Sequence, residues 1–291
     1  MRDDFAVLII SHERANDIIT IDALKASGYT GKTYIIIDDM DRQKDDYIKN
    51  FGEDNVIIFS KAELDGTFDM MDNFDSYGTE VYARNVSFKV ARDLGLKYFV
   101  ELDEDYYNFN YRFESRDENG VETLRAIYSK HLDDVFEVYI ELLETVPKIK
   151  CISFAQAGDF IGGVDSRFKQ HILRKSMNSF FFRVPENPKD DVQFLGRMND
   201  DVNTYVHGGI VGEYWCQMCR VMLRQEISQQ KTTGLATLYK DFGTYVKSMY
   251  TIMLSPSSVK ISTLGPSNPR IHHLINWETT VPKLISERYK K

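Results

Sequence analysis

Residues 98–107, YFVELDEDYY, join an apolar strand directly to the carboxylates of Asp103, Glu104 and Asp105. In an open α/β sheet, ligands bind beyond the carboxyl ends of the strands, so acidic residues at this place are positioned to act on one. Two carboxylates one residue apart can share a hard divalent cation, and such a cation neutralises the charge of a departing diphosphate. The alternative is a strand that ends in solvent-facing polar residues, because a DxD pattern also arises by chance in acidic chains.

The sequence before this strand alternates short apolar runs with helical patterns. A further helical pattern covers residues 79–94, and Gly95 ends it just before the acidic strand. This βαβαβ order predicts an α/β fold in which a parallel sheet carries helices on its faces. The other predicted elements are a strand at 5–11, a helix at 16–27, a strand at 33–38, a charged helix and a strand at 55–59.

The sequence after the acidic turn predicts further strands and helices. Alternating polar and aromatic residues around Asp117-Glu118-Asn119-Gly120 indicate a β-hairpin over 106–124. The other predicted elements are a helix at 129–145, a strand at 151–156, strand-like runs at 178–184 and 192–198, and a helix at 234–253. We expect the proline-containing residues 256–291 to form an irregular extension that wraps the domain.

Composition excludes several classes of protein. Hydrophobic content of 43%, charged content of 27% and the absence of a long apolar run predict a globular, cytoplasmic protein that does not enter a membrane. Three cysteines do not suggest a disulfide framework, and we expect Cys216 and Cys219 to be buried thiols. The net charge of -8 argues against a surface that binds nucleic acid throughout, although a local basic groove stays open. Basic clusters at 167–175 and 288–291 are more typical of solvated faces.

Polar residues also follow the first two predicted strands, on the same edge of the sheet as the acidic turn. Ser11, His12 and Arg14 follow the first strand, and Asp38 and Asp39 follow the second. A carboxylate at this position can accept hydrogen bonds from the base or the ribose hydroxyls of a nucleotide. We therefore predict that these five residues contact a nucleotide.

Other candidate residues lie farther from the acidic turn. Arg84, in the helix before that turn, offers a planar guanidinium for a diphosphate, and a solvated helix face is its alternative. Asp200 and Asp201 are candidates for a general base or for stabilising an oxocarbenium-like centre, and a helix N-cap is their alternative. His272 and His273 offer an imidazole to a cation such as Mn²⁺, and a partly buried pair bonded to backbone is the alternative.

Several strings together resemble the TET-associated glycosyltransferases of phages and some eukaryotic proteins. They are LDEDY, MNSFFFR, FLGRMNDDVNTY, GLATLYKDFGTYVKSMY and RIHH, in that order. The resemblance implies a GT-A fold with a mixed sheet, a UDP-sugar donor, and a divalent cation, Mn²⁺ or Mg²⁺. It also implies transfer onto the hydroxyl of a hydroxymethylated pyrimidine in DNA, such as hydroxymethylcytosine.

The resemblance also assigns roles to residues. Asp103 and Asp105 would hold the cation with His272 or His273, and Asp200 and Asp201 would be catalytic; we also predict Lys247 as a donor contact. The chain length predicts one domain over 1–291, with a nucleotide-sugar-binding half at 1–110, an acceptor half at 111–255 and an extension at 256–291. The sequence leaves the donor sugar, the acceptor base, the stereochemistry and the oligomeric state open.

Three other functions stay open at this point. A GT-A transferase acting on a protein or glycan would share the donor site. A nucleotidyltransferase would also use paired aspartates, but SHERAND, residues 11–17, lacks the glycine-rich phosphate loop that usually follows its first strand. An inert α/β binding module would keep the donor site without turnover.

Overall fold

The computed structural model describes residues 1–173, 175–225, 239, 243, 245–265 and 269–281. The predicted helix at 234–253 is therefore described mainly from Val246 onward, and the basic tail at 288–291 lies outside the described residues. Within the described residues, no helix is long and apolar enough to cross a membrane.

One large mixed sheet organises the chain. Its strands are β1 (Phe5–Ile10), β2 (Lys32–Asp38), β3 (Val56–Phe59), β4 (Tyr98–Asp103), β5 (Tyr106–Arg116), β6 (Glu122–Tyr128), β7 (Ile149–Ala155), β8 (His171–Ile172), β9 (Ser179–Arg183) and β10 (Tyr214–Gln225). Their order in the sheet is β3-β2-β1-β4-β9-β7-β10-β5-β6, and the short strand β8 pairs with β10. The first four strands are parallel, as predicted, whereas β9 lies antiparallel between β4 and β7.

Helices cover both faces of this sheet. The described helices are α1 (Ile19–Ala26), α2 (Lys44–Phe51), α3 (Lys61–Leu64), α4 (Val81–Asp93), α5 (Leu132–Thr145), α6 (Asp200–Ile210), α7 (Val246–Leu254) and α8 (Trp277–Thr280). Alternate residues of β1 pack into two separate cores, with α1, α2 and α5 on one face and α4 and α6 on the other. A fully buried strand explains the unbroken apolar run FAVLII. This architecture confirms the predicted α/β fold with a mixed sheet.

Most predicted elements after the acidic turn are confirmed, with small shifts at their ends. Strands β5 and β6 form the predicted hairpin around the turn at 117–120, and α5 begins three residues later than the pattern suggested. Cys216 and Cys219 are buried, as predicted for thiols that pack in a core, and Cys151 is buried as well.

Two predictions about secondary structure are wrong. Residues 192–198, VQFLGRM, form a buried loop without regular structure, because Gly196 adopts a left-handed φ of 84° and its amide bonds to the Asp69 carbonyl instead of a sheet. The extension is not irregular throughout, since Val259–Leu264 (β11) and Arg270–Ile275 (β12) form a two-stranded antiparallel sheet. Pro256 and Pro269 lie just outside these strands, where they cost no ladder hydrogen bond.

Candidate active site

The acidic turn lies at the carboxyl edge of the parallel strands, as predicted. Asp103 is the last residue of β4 and is paired in register with Ile10, the last residue of β1. Thr20, at the start of α1, donates its hydroxyl to the Asp103 carbonyl at 2.7 Å and accepts the Tyr106 amide at 2.9 Å. One threonine therefore fixes the backbone on both sides of the turn, so the carboxylates of the turn have a defined direction.

Arg84 connects this turn to two other carboxylates. Its guanidinium, on α4, is 3% exposed and donates to Glu101 at 2.7 Å and to Asp103 at 3.2 Å. Its Nε lies 2.8 Å from an oxygen of Asp200, and the ring of Phe180 lies 5.0 Å from the guanidinium carbon. The solvated face is therefore not observed. Because its nitrogens face protein carboxylates, Arg84 fixes Asp103 and Asp200 relative to each other.

Asp200 and Asp201 form the first turn of α6, and both are 6% exposed. Neither is the N-cap, which is Asn199 in a left-handed conformation without a capping side chain. Burial raises the pKa of Asp201 to about 6, with a further increase from the charge of Asp200, while Arg84 opposes both. A carboxylate with this pKa is largely ionised at neutral pH and can still accept a proton, as a general base requires.

The residues predicted to contact a nucleotide form a second cluster at the ends of β1 and β2. His12 Nδ1 lies 2.7 Å from Asp38, and Lys61 Nζ lies 3.0 Å from the same carboxylate oxygen. Burial opposes ionisation of Asp38, but His12 and Lys61 outweigh it and lower the pKa of Asp38 to about 2. The Asp38 hydrogen bond conversely raises the pKa of His12, against burial. Asp38 is therefore ionised near neutral pH, and its carboxylate is held in place by two basic side chains.

The other predicted nucleotide contacts support the loops of this edge. Ser11 shares a 2.7 Å hydrogen bond with the Tyr47 hydroxyl. Arg14 forms an ion pair with Glu104 of the acidic turn, so the loop after β1 is held against the loop after β4. Asp39 accepts the Lys61 amide at 3.3 Å. The structure thus brings the two loops together, and direct nucleotide contact stays a prediction for these residues.

Lys247 lies on α7, which packs against both α6 and β12, the elements that carry the buried aspartates and the histidine pair. Burial lowers the pKa of Lys247, and the charge of Asp201 opposes this effect. The charge of Lys247 in turn contributes to lowering the pKa values of His272 and His273, for which burial is the main cause. The two imidazole rings lie 4.2 Å apart, centroid to centroid. The structure thus brings the helix of Lys247 against α6, and contact of Lys247 with a donor stays a prediction.

The predicted cation site has suitable oxygen ligands in Asp103 and Asp105. Burial raises the pKa of Asp103, the charge of Arg84 opposes this effect, and the charges of Asp105 and Glu104 raise the pKa further, so a bound cation would favour the ionised form of these clustered carboxylates. Mg²⁺ typically takes one or two protein carboxylates and completes its shell with water and substrate phosphate. Within the described residues, no group of three or more His, Cys, Asp or Glu residues is arranged to hold a metal. The two aspartates fit a substrate-completed site, and ligation by His272 or His273 stays a prediction.

Sequence reasoning missed three residues that organise this site: Glu101, Lys61 and Arg197. Glu101 is fully buried in the middle of β4, and a charged residue within the apolar run YFVELD was the available signal. Arg197 is 3% exposed; it ion-pairs with Asp72 at 2.9 Å and donates to the Phe74 carbonyl at 2.8 Å. Arg197 thereby holds residues 65–80, the acidic loop before α4, against the segment that leads into α6.

Three solved structures are similar to this chain at low sequence identity. S. aureus TarS 1-349 is 12% identical with a TM-score of 0.44, over 86% of this chain and 65% of that one, so the chain spans just under two thirds of it. Glucosyl-3-phosphoglycerate synthase from Mycobacterium tuberculosis, in complex with Mg²⁺ and UDP, is 10% identical with a TM-score of 0.47, over 93% and 87% of the two chains. The same synthase with Mn²⁺, UDP and phosphoglyceric acid is 9% identical with a TM-score of 0.44, over 93% and 86%.

No curated protein sequence matches the chain. The family model of the TET-Associated Glycosyltransferase, in contrast, matches residues 5–234. This match covers the sheet, the acidic turn, Arg84 and both aspartates of α6, and it is well over half of the chain. The chain therefore belongs to the TET-associated glycosyltransferase family.

Proposed function

We propose that this glycosyltransferase moves a sugar from a UDP-sugar to the hydroxyl of a hydroxymethylated pyrimidine in DNA, with a divalent cation on Asp103 and Asp105. The observation that carries the proposal is the Arg84 bridge, which joins Asp103 of the acidic turn to Asp200 of α6. It brings a carboxylate suited to the donor's cation and a carboxylate suited to the transferred sugar into one buried network.

The donor would lie along the carboxyl ends of β1, β2 and β4. Asp38, ionised and held by His12 and Lys61, is suited to accept hydrogen bonds from ribose or base. The bound cation would supply Lewis-acid stabilisation of the departing diphosphate, which is worth several kcal/mol of barrier. Lys247, near α6, would add positive charge at the same place.

The acceptor would meet the sugar at the start of α6. Asp201, with a pKa of about 6, is mostly ionised at neutral pH and can take the proton of the acceptor hydroxyl as that oxygen bonds to the sugar carbon. Asp200, held by Arg84, would stay close to the sugar carbon that develops positive charge. Whether the configuration at that carbon is retained or inverted is open.

A protein or glycan acceptor is the second candidate, and the net charge of -8 favours it, since DNA phosphates repel an acidic protein. The two candidates share the donor site and differ only in the acceptor.

A transfer assay tests the proposal. The protein is incubated with a panel of UDP-sugars, Mn²⁺ and DNA that contains hydroxymethylcytosine, and the digested nucleosides are weighed by mass spectrometry. We expect a hexose or pentose mass gain on the modified base only, loss of that gain in Asp103→Asn, and full activity in the control Asp93→Asn, which changes an exposed carboxylate on α4. UDP release that requires a protein or glycan, without any gain on DNA, would refute the DNA acceptor.

A further inference from the structure

Strands β5 and β10 carry a positively charged face beyond the acidic turn. Asn108, Asn110 and Arg112 alternate along β5, so their side chains lie on one face of the sheet. Asn108 is paired in register with Arg224 of β10, and continuation of that register sets Arg220 opposite Arg112. We call these five residues the arginine face.

The guanidinium groups of this face rest on buried aromatic rings. Arg112 lies 4.5 Å from the ring centroid of Phe160, and Arg220 lies 5.1 Å from that of Phe168. Both rings belong to a small core that also contains Met222 of β10 and has Leu124 of β6 packed against it. The rings fix the direction of the two guanidinium groups, which leaves their N–H donors for another partner.

No carboxylate within the described residues neutralises the three arginines of this face. The ion pairs of the neighbouring strands and turns join Lys169 to Glu114 and Arg116 to Glu122 instead. Burial lowers the pKa of Arg112, and the charge of Arg224 lowers it further. Arginines of one face that lack a carboxylate partner create a positive potential that attracts anions.

Three buried polar atoms on this face have no hydrogen-bond partner: Oδ1 of Asn108, Oδ1 of Asn110 and Nε of Arg112. Asn110 is only 3% exposed. An unsatisfied buried polar group costs about 1–3 kcal/mol, so a ligand or an ordered water that reaches these atoms would stabilise the strand.

We propose that the arginine face binds the phosphodiester backbone of the acceptor DNA strand and leads it to the acidic turn. This inference rests on the proposed function. Arg112 lies six residues beyond Tyr106, about 20 Å along β5, which corresponds to about six nucleotides of one strand. Tyr128 of β6 is 62% exposed and is the cross-strand neighbour of Asn110, so its ring can stack on a base.

Residues 167–169, part of the basic stretch predicted to be a solvated face, adjoin this face. Phe168 lies beneath Arg220, and Arg167 and Lys169 flank that ring with exposed side chains. The surface thus concentrates positive charge in a protein of net charge -8, which limits DNA binding to this region.

The test measures DNA binding by fluorescence anisotropy with a labelled single strand of about 12 nucleotides that contains hydroxymethylcytosine, at roughly 50 to 200 mM salt. The variant replaces Arg112, Arg220 and Arg224 by Gln. The matched control is Arg125→Gln, which removes an exposed arginine from β6. Arg125 pairs with Phe113 of β5, and Phe113 lies on the opposite face of the strand from Arg112. The control therefore removes one positive charge from the other face of the sheet. Arg220→Gln alone changes an exposed side chain and serves if the triple variant does not fold.

We expect the triple variant to bind DNA at least about tenfold more weakly, with a slope of log affinity against log salt smaller by about 2, since each lost phosphate contact removes about 0.7. Arg220→Gln should lower the slope by about 0.7, and Arg125→Gln should leave it unchanged. Equal losses in the triple variant and Arg125→Gln would overturn the proposal, as would wild-type binding to anionic lipid vesicles but not to DNA.

Release of UDP from a UDP-sugar without DNA separates this proposal from the proposed function. If the wild type and the triple variant release UDP equally and only DNA binding and transfer are lost, the arginine face is supported. If the wild type transfers sugar to DNA and the triple variant does so at an unchanged KM for DNA, the arginine face is refuted while the proposed function stands. If the wild type neither binds nor glycosylates DNA, both fail.

Discussion

Replacement of Arg84 by Met tests whether the network between the acidic turn and α6 stabilises the fold. The substitution keeps most of the side-chain volume and removes the charge that faces Glu101, Asp103 and Asp200. Glu101 is fully buried, so its carboxylate would be left without its guanidinium partner. Removal of one partner of a buried ion pair costs about 3–5 kcal/mol, which is the expected loss in free energy of unfolding near neutral pH.

The loss should depend on pH in a defined direction. Burial raises the pKa of Glu101 in the wild type, and Arg84 counteracts that effect. Without Arg84, the folded-state pKa of Glu101 rises further above its unfolded value, so the folded variant binds a proton that the unfolded chain releases. Stability then falls as pH rises from the unfolded to the folded pKa, and the deficit of the variant is smallest at low pH.

Urea unfolding followed by circular dichroism, at about pH 5 and about pH 8, measures both effects. The companion Glu101→Gln removes the buried charge, and the double variant Arg84→Met/Glu101→Gln should recover at least about half of the loss. A loss below about 1 kcal/mol in Arg84→Met, a deficit that grows toward low pH, or no recovery in the double variant would refute this reasoning.

Three further substitutions test other parts of the site. Arg197→Met removes the guanidinium that faces Asp72, whose side chain is only 9% exposed, and should lower the free energy of unfolding in urea by about 3–5 kcal/mol; a change below about 1 kcal/mol would contradict this. Because Asp201 has a pKa of about 6, kcat/KM of the wild type should rise as pH increases through about 6 and then level off. The variant Asp201→Asn should have a low kcat/KM at every pH. A pH profile of the variant that equals that of the wild type would exclude Asp201 as the base. His12→Ala removes the hydrogen bond that fixes Asp38, and calorimetric titration should show UDP binding weaker by about tenfold; equal affinity would remove this pair from the nucleotide site.

The sequence predicted those parts of the fold that depend on local patterns. The apolar runs of β1 and β2 and the helical period of α4 indicate a parallel sheet without any knowledge of distant contacts. The acidic turn could be placed at the edge of that sheet because it follows β4 without a gap. In contrast, the loop at 192–198 has the composition of a strand, and only its contacts with the acidic loop show that it is not one.

The organisation of the site could not be predicted in the same way, because it depends on side chains that are distant in sequence. Arg84 and Asp200 form an ion pair although they are 116 residues apart in the sequence. The local sequence around either residue does not indicate this contact. Lys61 reaches Asp38 only because β2 and β3 are adjacent strands. Residue types alone could therefore identify the carboxylates as candidates, but they could not identify the arginine and lysine side chains that orient them.

Asp103 and Asp105 are proposed to hold the cation that accompanies the sugar nucleotide. Calorimetric titration of UDP into the wild type and into Asp103→Asn/Asp105→Asn, each with and without Mn²⁺, is the direct test of that role. We expect Mn²⁺ to strengthen UDP binding to the wild type by about tenfold or more, and this dependence to disappear in the double variant. An equal effect of Mn²⁺ on both proteins, or no effect on the wild type, would show that the two aspartates do not hold the cation.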